Sequence, residues 1–310
     1  MDKQTTVTVS VLTYNSSKYV LDTLESIKAQ TYPNLILHIC DDCSTDSTID
    51  ICRKWIERNK ERFVSTDIIV PGCNTGVSAN ANRAWDACTT RYNKDIAGDD
   101  ILLPNCIEDN IEYIKENPDA LMVFSKIVSF GTSKKVCQEY DKRVWYGFYN
   151  ETPEYQNELL HEANRMIAPT AFYNIPKLRA LGIRHDERIP MMEDYPKWIQ
   201  ASDKGVKFHF FDKVTVKYRI SEGSISQSSV PSRRYIESIR LASLYYNVNY
   251  NQNLESVVAD ILMSEKDLIS EYLELKKNYV QIKQSKAYRF GHFVMVPLTK
   301  LKEIAYSLKK

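Results

Sequence analysis

The chain has 310 residues, 43% apolar and 26% charged, with a formal net charge of +1. That is enough apolar material for one large domain or two smaller ones, and it excludes a disordered or collagen-like chain. A near-zero balance gives no whole-molecule pull on nucleic acid. Seven cysteines at scattered spacing do not form a disulfide framework. Cys40 and Cys43 make a C-x-x-C without the second pair that a zinc site needs, so the cysteines are read as reduced thiols of a cytosolic protein.

Taken in chain order, Val7, Val9 and Val11 alternate with Thr6, Thr8 and Ser10, which predicts a strand over Thr6–Leu12. Asn15, Ser16 and Ser17 are N-cap candidates for a helix carrying Val20, Leu24 and Ile27. Leu35–Cys40 predicts a second strand, and Ile49, Cys52 and Ile56 a second helix. Thr66–Val70 predicts a third strand; Gly72, Asn74 and Gly76 form a loop before a helix over Ser78–Cys88. Asp95–Ala97 leads into Gly98-Asp99-Asp100, and Pro104 opens a helix with Ile107, Ile111 and Ile114. This alternation implies a parallel sheet covered on both faces, with ligands beyond the carboxyl ends of the strands.

Beyond Ala120 the pattern changes. Ala120–Phe124 and Lys126–Phe130 read as extended, as do Val206–Phe211 and Val214–Tyr218. Helices are expected over Glu154–Asn164, over Ile175–Leu181, and from about Arg233 to the end. The stripe from Leu254 to Leu275 can pack on the catalytic domain or on a second copy, a homodimer. Residues 276–310 carry nine Lys or Arg against one acid, Glu303, a net of +8, mixed with aromatic and apolar residues. Such a segment can lie on an anionic membrane surface. No apolar run is long enough to span a bilayer and no signal peptide is present, so the expected location is cytoplasmic, peripheral on the inner face of the cell membrane.

Three constellations can carry chemistry. Thr13-Tyr14-Asn15 and Asp41-Asp42-Cys43-Ser44-Thr45-Asp46 follow the first two strands; a carboxylate there can accept from a base or ribose hydroxyl, and Tyr14 can pack on a ring. Asp46 is placed to cap a helix, whereas Asp41 comes too early for that role and reads as a ligand residue. The adjacent acids Asp99 and Asp100 repel one another unless a cation sits between them, and an oxygen-only site suits Mg²⁺ or Mn²⁺. Glu193-Asp194 offers a carboxylate base for an attacking hydroxyl, or a helix N-terminus with acids in its first turn.

The order of these motifs resembles inverting family 2 glycosyltransferases over roughly residues 6 to 226. Val9–Asn15 resembles their opening strand, and Ser26–Tyr32 their first helix end. Asp41–Asp46 resembles Asp-Asp-Gly-Ser-x-Asp with Cys43 for Gly, and Asn74-Thr75-Gly76 resembles Asn-x-Gly. Gly98-Asp99-Asp100 stands at the metal-binding Asp-x-Asp, and Glu193-Asp194 at their Glu-Asp. The resemblance implies an α/β GT-A fold, a Rossmann-like, mostly parallel sheet flanked by helices, with a C-terminal helical extension. It implies a catalytic domain over 1–226 (nucleotide-binding half 1–118, acceptor half 119–226), followed by 227–310. The donor would be a nucleoside-diphosphate sugar, most often of uracil, held by Thr13, Tyr14, Asn15, Asp41, Asp42, Asn74, Gly76, Asn80, Arg83, Gly98, Asp99, Arg219 and Ser224. Mn²⁺ or Mg²⁺ would sit on Asp99 and Asp100, and Asp194 would be the general base, with Glu193 second.

The family's first acid of Asp-x-Asp is Ala97 here; the Arg after Asn-x-Gly is Ala81, with Arg83 nearby; the late metal-binding His is Ser221. Trp145, Tyr146 and Trp198 are candidates to meet a saccharide or lipid-linked saccharide acceptor of a bacterial surface polysaccharide. A nucleotidyltransferase and a non-catalytic sugar-nucleotide-binding relative are the alternatives. The former lacks the Gly-rich, basic loop expected after strand one, and a dehydrogenase lacks its G-x-G-x-x-G.

Overall fold

The structure, a computed structural model, describes residues 5–189, 191–221, 233–242 and 245–246. Alternating valines start the sheet at β1 (Val7–Thr13), but its polar alternate positions are buried too. Thr8 meets the Thr90 hydroxyl at 2.7 Å, and Ser10 donates to Asn93 Oδ1 at 2.8 Å. The strand is therefore covered on both faces, and its polar groups are satisfied inside the protein, as burial demands.

From β1 the chain runs through α1 (Val20–Lys28), β2 (Leu35–Asp41), α2 (Thr48–Asn59), β3 (Ser65–Ile69), α3 (Val77–Ala87) and β4 (Tyr92–Ala97). Then come β5 (Ile101–Leu102), α4 (Cys106–Glu116), β6 (Met122–Phe130), α5 (Lys134–Arg143), α6 (Pro153–Glu162), β7 (Phe172–Asn174), α7 (Ile175–Ala180), α8 (Tyr195–Ser202), β8 (Phe208–Arg219) and α9 (Arg233–Ala242). The eight strands form one sheet in the order β3-β2-β1-β4-β7-β6-β8-β5. β3, β2, β1 and β4 are mutually parallel. β7 is antiparallel to both β4 and β6, β8 is parallel to β6, and β5 is antiparallel to β8. Successive βα units place β2 and β4 on opposite sides of β1, so the crevice at the carboxyl ends of β1 and β4 is a topological switch point.

The two extended segments expected on either side of Ser125 are one strand, β6, and those on either side of Asp212 are one strand, β8. Their pairing shifts register between Phe124 and Ile127, where Ser125 meets the Thr215 hydroxyl at 2.6 Å. The irregularity interrupts the period-2 pattern, so the sequence reads as broken strands. β5 and β7 are two and three residues long, too short for periodicity to reveal them.

Two apolar cores lie on the sheet. Side chains alternate between strand faces, so β6 sends Val123 and Ile127 to one core and Met122 and Phe124 to the other. The first core joins β1 and β2 to α1, α2 and α4; the second gathers Trp85, Phe124, Phe148, Tyr173, Trp198 and Phe208. All seven cysteines are free. No helix among the described residues is long and apolar enough to cross a membrane. The residues 276–310 assigned to membrane contact and the stripe from Leu254 to Leu275 lie outside the described residues.

Candidate active site

The in-register pairing of β1 with β2 sets Thr13 beside Asp41, and pairing with β4 sets Leu12 beside Ala97. Thr13 Oγ1 donates to Asp41 Oδ2 at 2.8 Å. The same carboxylate accepts from the Ser44 amide at 2.7 Å and its hydroxyl at 2.6 Å. Asn15 adopts φ 50° and Cys43 φ 63°. These left-handed turns let the two loops interlock: the Asn15 amide donates to Ser44 Oγ at 2.8 Å, and Asn15 Oδ1 accepts from the Thr45 amide at 2.9 Å. Asp46 combines a cap with a tether: Oδ1 takes the Thr48 amide at 2.9 Å and Oδ2 the Ser17 amide at 3.1 Å. Burial pushes the Asp46 carboxyl up, and the hydrogen bonds from Thr48 and Ser17 together outweigh it and hold the carboxyl down at about 2. Tyr14, between these loops, stands 49% exposed.

Asp42 organises the next loop. It accepts from the Thr75 amide at 3.1 Å and hydroxyl at 2.7 Å, and from the Gly76 amide at 2.7 Å. Asn74 Nδ2 reaches Asp42 O at 3.3 Å. Gly76 starts α3 at φ 94°, ψ 159°, a conformation open essentially to glycine alone. Arg83 folds back along α3 to pair with Asp42 at 2.6 Å and to donate to Asn80 Oδ1 at 3.1 Å. Asn80 in turn donates to Cys40 O at 2.7 Å. The shift of the arginine from position 81 to 83 thus leaves its head at the same loop, held by the acid at the end of β2.

Gly98 closes the crevice from the other side. Its amide donates to Leu12 O at 2.9 Å, and a Cβ there would stand 2.7 Å from Thr13 Cγ2. Only glycine lets the acidic turn lie against the first loop. Burial raises the Asp99 carboxyl above its usual range. Burial, then the charge of Asp99, pushes Asp100 up to about 8. Asp100 is 1% exposed, and its Oδ1 accepts from the Arg219 amide at 2.8 Å. The two acids therefore differ: Asp99 is only partly buried at the crevice, while Asp100 also anchors the end of β8. Among the described residues no group of three acidic, His or Cys side chains could hold a metal. One or two carboxylates at a diphosphate crevice nonetheless fit Mg²⁺ or Mn²⁺, which take their remaining ligands from phosphate oxygens and water.

Arg219 lies against the acidic turn and the first turn of α1. Its Nε donates to Asp99 O at 2.7 Å, its Nη2 pairs with Asp22 at 2.9 Å, and its guanidinium lies between the Tyr19 and Phe130 rings. Ser224 lies outside the described residues.

Glu193 and Asp194 precede α8. Asp194 accepts from the Tyr195 amide at 2.7 Å through Oδ1 and from Asn164 Nδ2 at 3.1 Å through Oδ2, so it both caps the helix and keeps an oriented carboxylate. Burial, then the neighbouring Asp194 charge, pushes Glu193 up to about 7. Both acids act electrostatically on Tyr173 of β7, as does Asp95 of β4, four residues before Asp99. Of the acceptor candidates, Trp145 is 45% exposed, with the Arg165 guanidinium over its ring. Tyr146 packs at a tilt against Phe210, ring centroids 5.3 Å apart, and accepts from the Ile127 amide at 3.2 Å. Trp198 is fully buried in the second core between Phe124, Tyr173 and Phe208, so its ring offers an acceptor no surface. That corrects the expectation for Trp198, whose place is fixed by helical spacing from Asp194 onto the core face.

A concavity of about 500 Å³ lies next to the acid pair, lined by Asn82, Arg184, His185, Asp186, Gln200 and Tyr246 among others. None of the expected donor residues lines it, and its two arginines are paired with Asp86 and Asp186. Lys197, buried beneath the acid pair, was not singled out by sequence reasoning. A lysine directly before a core tryptophan in an acid-capped helix was the available signal.

A Rossmann-like half-sheet, paired acids at its switch point and an acid-capped helix fit a transferase. The family model Glycosyl transferase family 2 matches residues 8–181. The chain belongs to glycosyl transferase family 2 and carries the GT-A fold. It is 23% identical over 242 residues, 78% of this chain and 86% of the relative, to the Escherichia coli UDP-Glc:alpha-D-GlcNAc-diphosphoundecaprenol beta-1,3-glucosyltransferase WfaP. It is 25% identical over 226 residues, 71% and 82% of the two chains, to the putative teichuronic acid biosynthesis glycosyltransferase TuaG of Bacillus subtilis. Among solved structures it resembles residues 1–349 of Staphylococcus aureus TarS in complex with UDP-GlcNAc, at TM-score 0.61 and 21% identity, covering 83% of this chain and 71% of that one. Against the longer TarS chain it spans 43% of that length. It also resembles the mannosyltransferase PcManGT of Pyrobaculum calidifontis in complex with GDP-Man and Mn²⁺, at TM-score 0.54 and 16% identity, covering 93% and 84%.

Proposed function

We propose that this chain transfers a sugar from a nucleoside-diphosphate sugar, a UDP-sugar first, to a hydroxyl of a saccharide or lipid-linked saccharide, with inversion, in bacterial surface polysaccharide synthesis. The observation that carries the reading is the convergence of Thr13, Asp41 and the Gly98–Asp99 turn on the switch point of the sheet, in contact with one another. The UDP-Glc:alpha-D-GlcNAc-diphosphoundecaprenol beta-1,3-glucosyltransferase activity of WfaP and the teichuronic acid biosynthesis for which TuaG is named support the substrate class.

In this reading the base lies on Tyr14 between the Thr13–Asn15 and Asp41–Ser44 loops, and the loop from Asn74 to Arg83 borders the ribose and diphosphate. Asp99, with Asp100, would hold Mn²⁺ or Mg²⁺, which when bound neutralises charge on the departing diphosphate. Asp194 takes the proton of the attacking hydroxyl, oriented by Asn164 and the Tyr195 amide. A single in-line displacement inverts the sugar carbon. The catalytic machinery is assigned to residues 1–226, and residues 276–310 to contact with an anionic membrane carrying the acceptor.

A melting-temperature screen of UDP, GDP, CDP and dTDP sugars with and without Mn²⁺, followed by transfer assays, tests this. Asp99→Ala is expected to abolish metal-dependent stabilisation by the donor. Asp194→Asn is expected to keep donor binding and lose at least about 100-fold in kcat, the scale of a positioned general base. Parent-level transfer by Asp194→Asn would remove Asp194 from the base role.

A further inference from the structure

Lys197 is 2% exposed on α8. Burying an ammonium is costly unless the surroundings compensate, and here they are built to do so. Its Nζ donates to the Tyr173 hydroxyl at 2.9 Å. It lies 4.3 Å from the Trp198 ring centroid, 4.7 Å from that of Tyr173 and 5.2 Å from that of Trp85, an aromatic cage of three rings from three elements. Asp95 and the Glu193–Asp194 pair all act on this ammonium electrostatically. We propose that Lys197 is a positioning residue for the base: its caged ammonium, four residues after Glu193 and three after the helix cap Asp194, is the countercharge that favours the ionised form of Glu193. The inference rests on the reading of this acid pair as the base.

The other groups around the cage do not supply that charge. Asp95 on β4 is itself an acid, held by Trp85 Nε1 at 2.8 Å and Asn93 Nδ2 at 2.5 Å. Tyr173 on β7 stays a phenol, its ionisation opposed by burial and by three acids, and burial and then Asp194 likewise oppose ionisation of Tyr235 on α9. His185 Nδ1 donates to Glu193 O at 2.9 Å, and burial, then Lys197, hold it neutral far below its ordinary range. Arg184 adds a weaker positive influence at His185 but is paired with Asp86 at 2.8 Å. Burial draws Lys197 down to about 8 while the three acids raise it, and Lys197 opposes the upward push on Glu193. Removing the ammonium therefore raises the Glu193 pKa, and the ionised form of Glu193 is lost at higher pH.

The test is a ¹³C NMR titration of the Glu193 carboxyl, assigned with Glu193→Gln, in the parent and in Lys197→Met. The parent midpoint is expected near 7. In Lys197→Met it is expected to rise by about one unit or more, a tenfold loss of the ionised form below the midpoint. The acidic limb of the kcat/KM profile should move up with it while donor KM stays put, and Lys197→Arg should return both toward the parent. If Lys197→Met does not fold, Lys197→Gln, which keeps a polar head for the Tyr173 hydroxyl, carries the same comparison. An unmoved Glu193 midpoint in the folded neutral variant, even with a lower melting temperature, would reduce Lys197 to a core residue and overturn the proposal. The NMR midpoint does not depend on turnover, so absence of sugar transfer would count against the proposed function and leave this measurement intact.

Discussion

Cys43 sits at φ 63° in the turn after β2, where the family pattern has glycine. A side chain in the left-handed region crowds the backbone, and glycine relieves that crowding. Cys43→Gly is expected to raise stability by about 1 kcal/mol, read from urea unfolding at constant m-value. Its neighbours show why single residues here are not interchangeable. Gly76 provides a backbone conformation that side chains avoid, and Gly98 provides space against Thr13. The sequence marked both glycines by motif; the reason for each is different, and only contacts distinguish them. Arg83 makes the same point in reverse. One turn of α3 and a long side chain bring its guanidinium back to Asp42, a contact that helix geometry alone does not reveal.

Among the elements, the first βαβαβ unit is tied by Arg62, in the turn over Lys60–Arg62. Its guanidinium donates to four carbonyls, of Lys28 at 3.1 Å, Gln30 at 2.8 Å, Tyr32 at 2.8 Å and Pro33 at 2.9 Å. Those oxygens belong to the end of α1 and the loop into β2, where helix carbonyls lack partners. Arg62→Ala is expected to destabilise by about 2 kcal/mol, and Arg62→Lys to recover little of it, because an ammonium cannot span a fork of acceptors. Equilibrium urea curves of the two variants check this. α8 ties its own position differently, through the Asp194 cap, Trp198 in the core and Lys197 in its cage. One short helix thus couples a core face, a capped N-terminus and the acid pair.

Over the whole molecule, the two cores give the two ends of the site different supports. The loops after β1, β2 and β4, proposed to hold the donor, stand on the first core, and the acid pair on the second. Trp198→Ala, a deletion inside the second core, is expected to cost about 3–5 kcal/mol and to abolish transfer without touching the donor loops. Denaturant unfolding together with donor binding measured below the transition separates the two effects: transfer lost and donor affinity kept is the expected result. Loss of donor binding in the folded variant would mean the two halves of the site are not separately supported.

The sequence by itself determined the first half: strand, helix and loop order through Glu116 apart from the two-residue β5, the glycine and acid positions, and the family. Those signals are local, because period-2 and period-3.6 patterns and short motifs act through neighbours along the chain. Much of the second half was decided only in three dimensions. The irregular β6–β8 pairing interrupts periodicity, β5 and β7 exist only as partners of longer strands, and Trp198, four residues after an acid, faces inward because the second core lies beneath it. The contacts Asp42–Arg83 and Lys197–Tyr173 join residues 41 and 24 apart. Charge pairing and burial at such distances depend on which faces pack together, and a linear pattern carries no record of that.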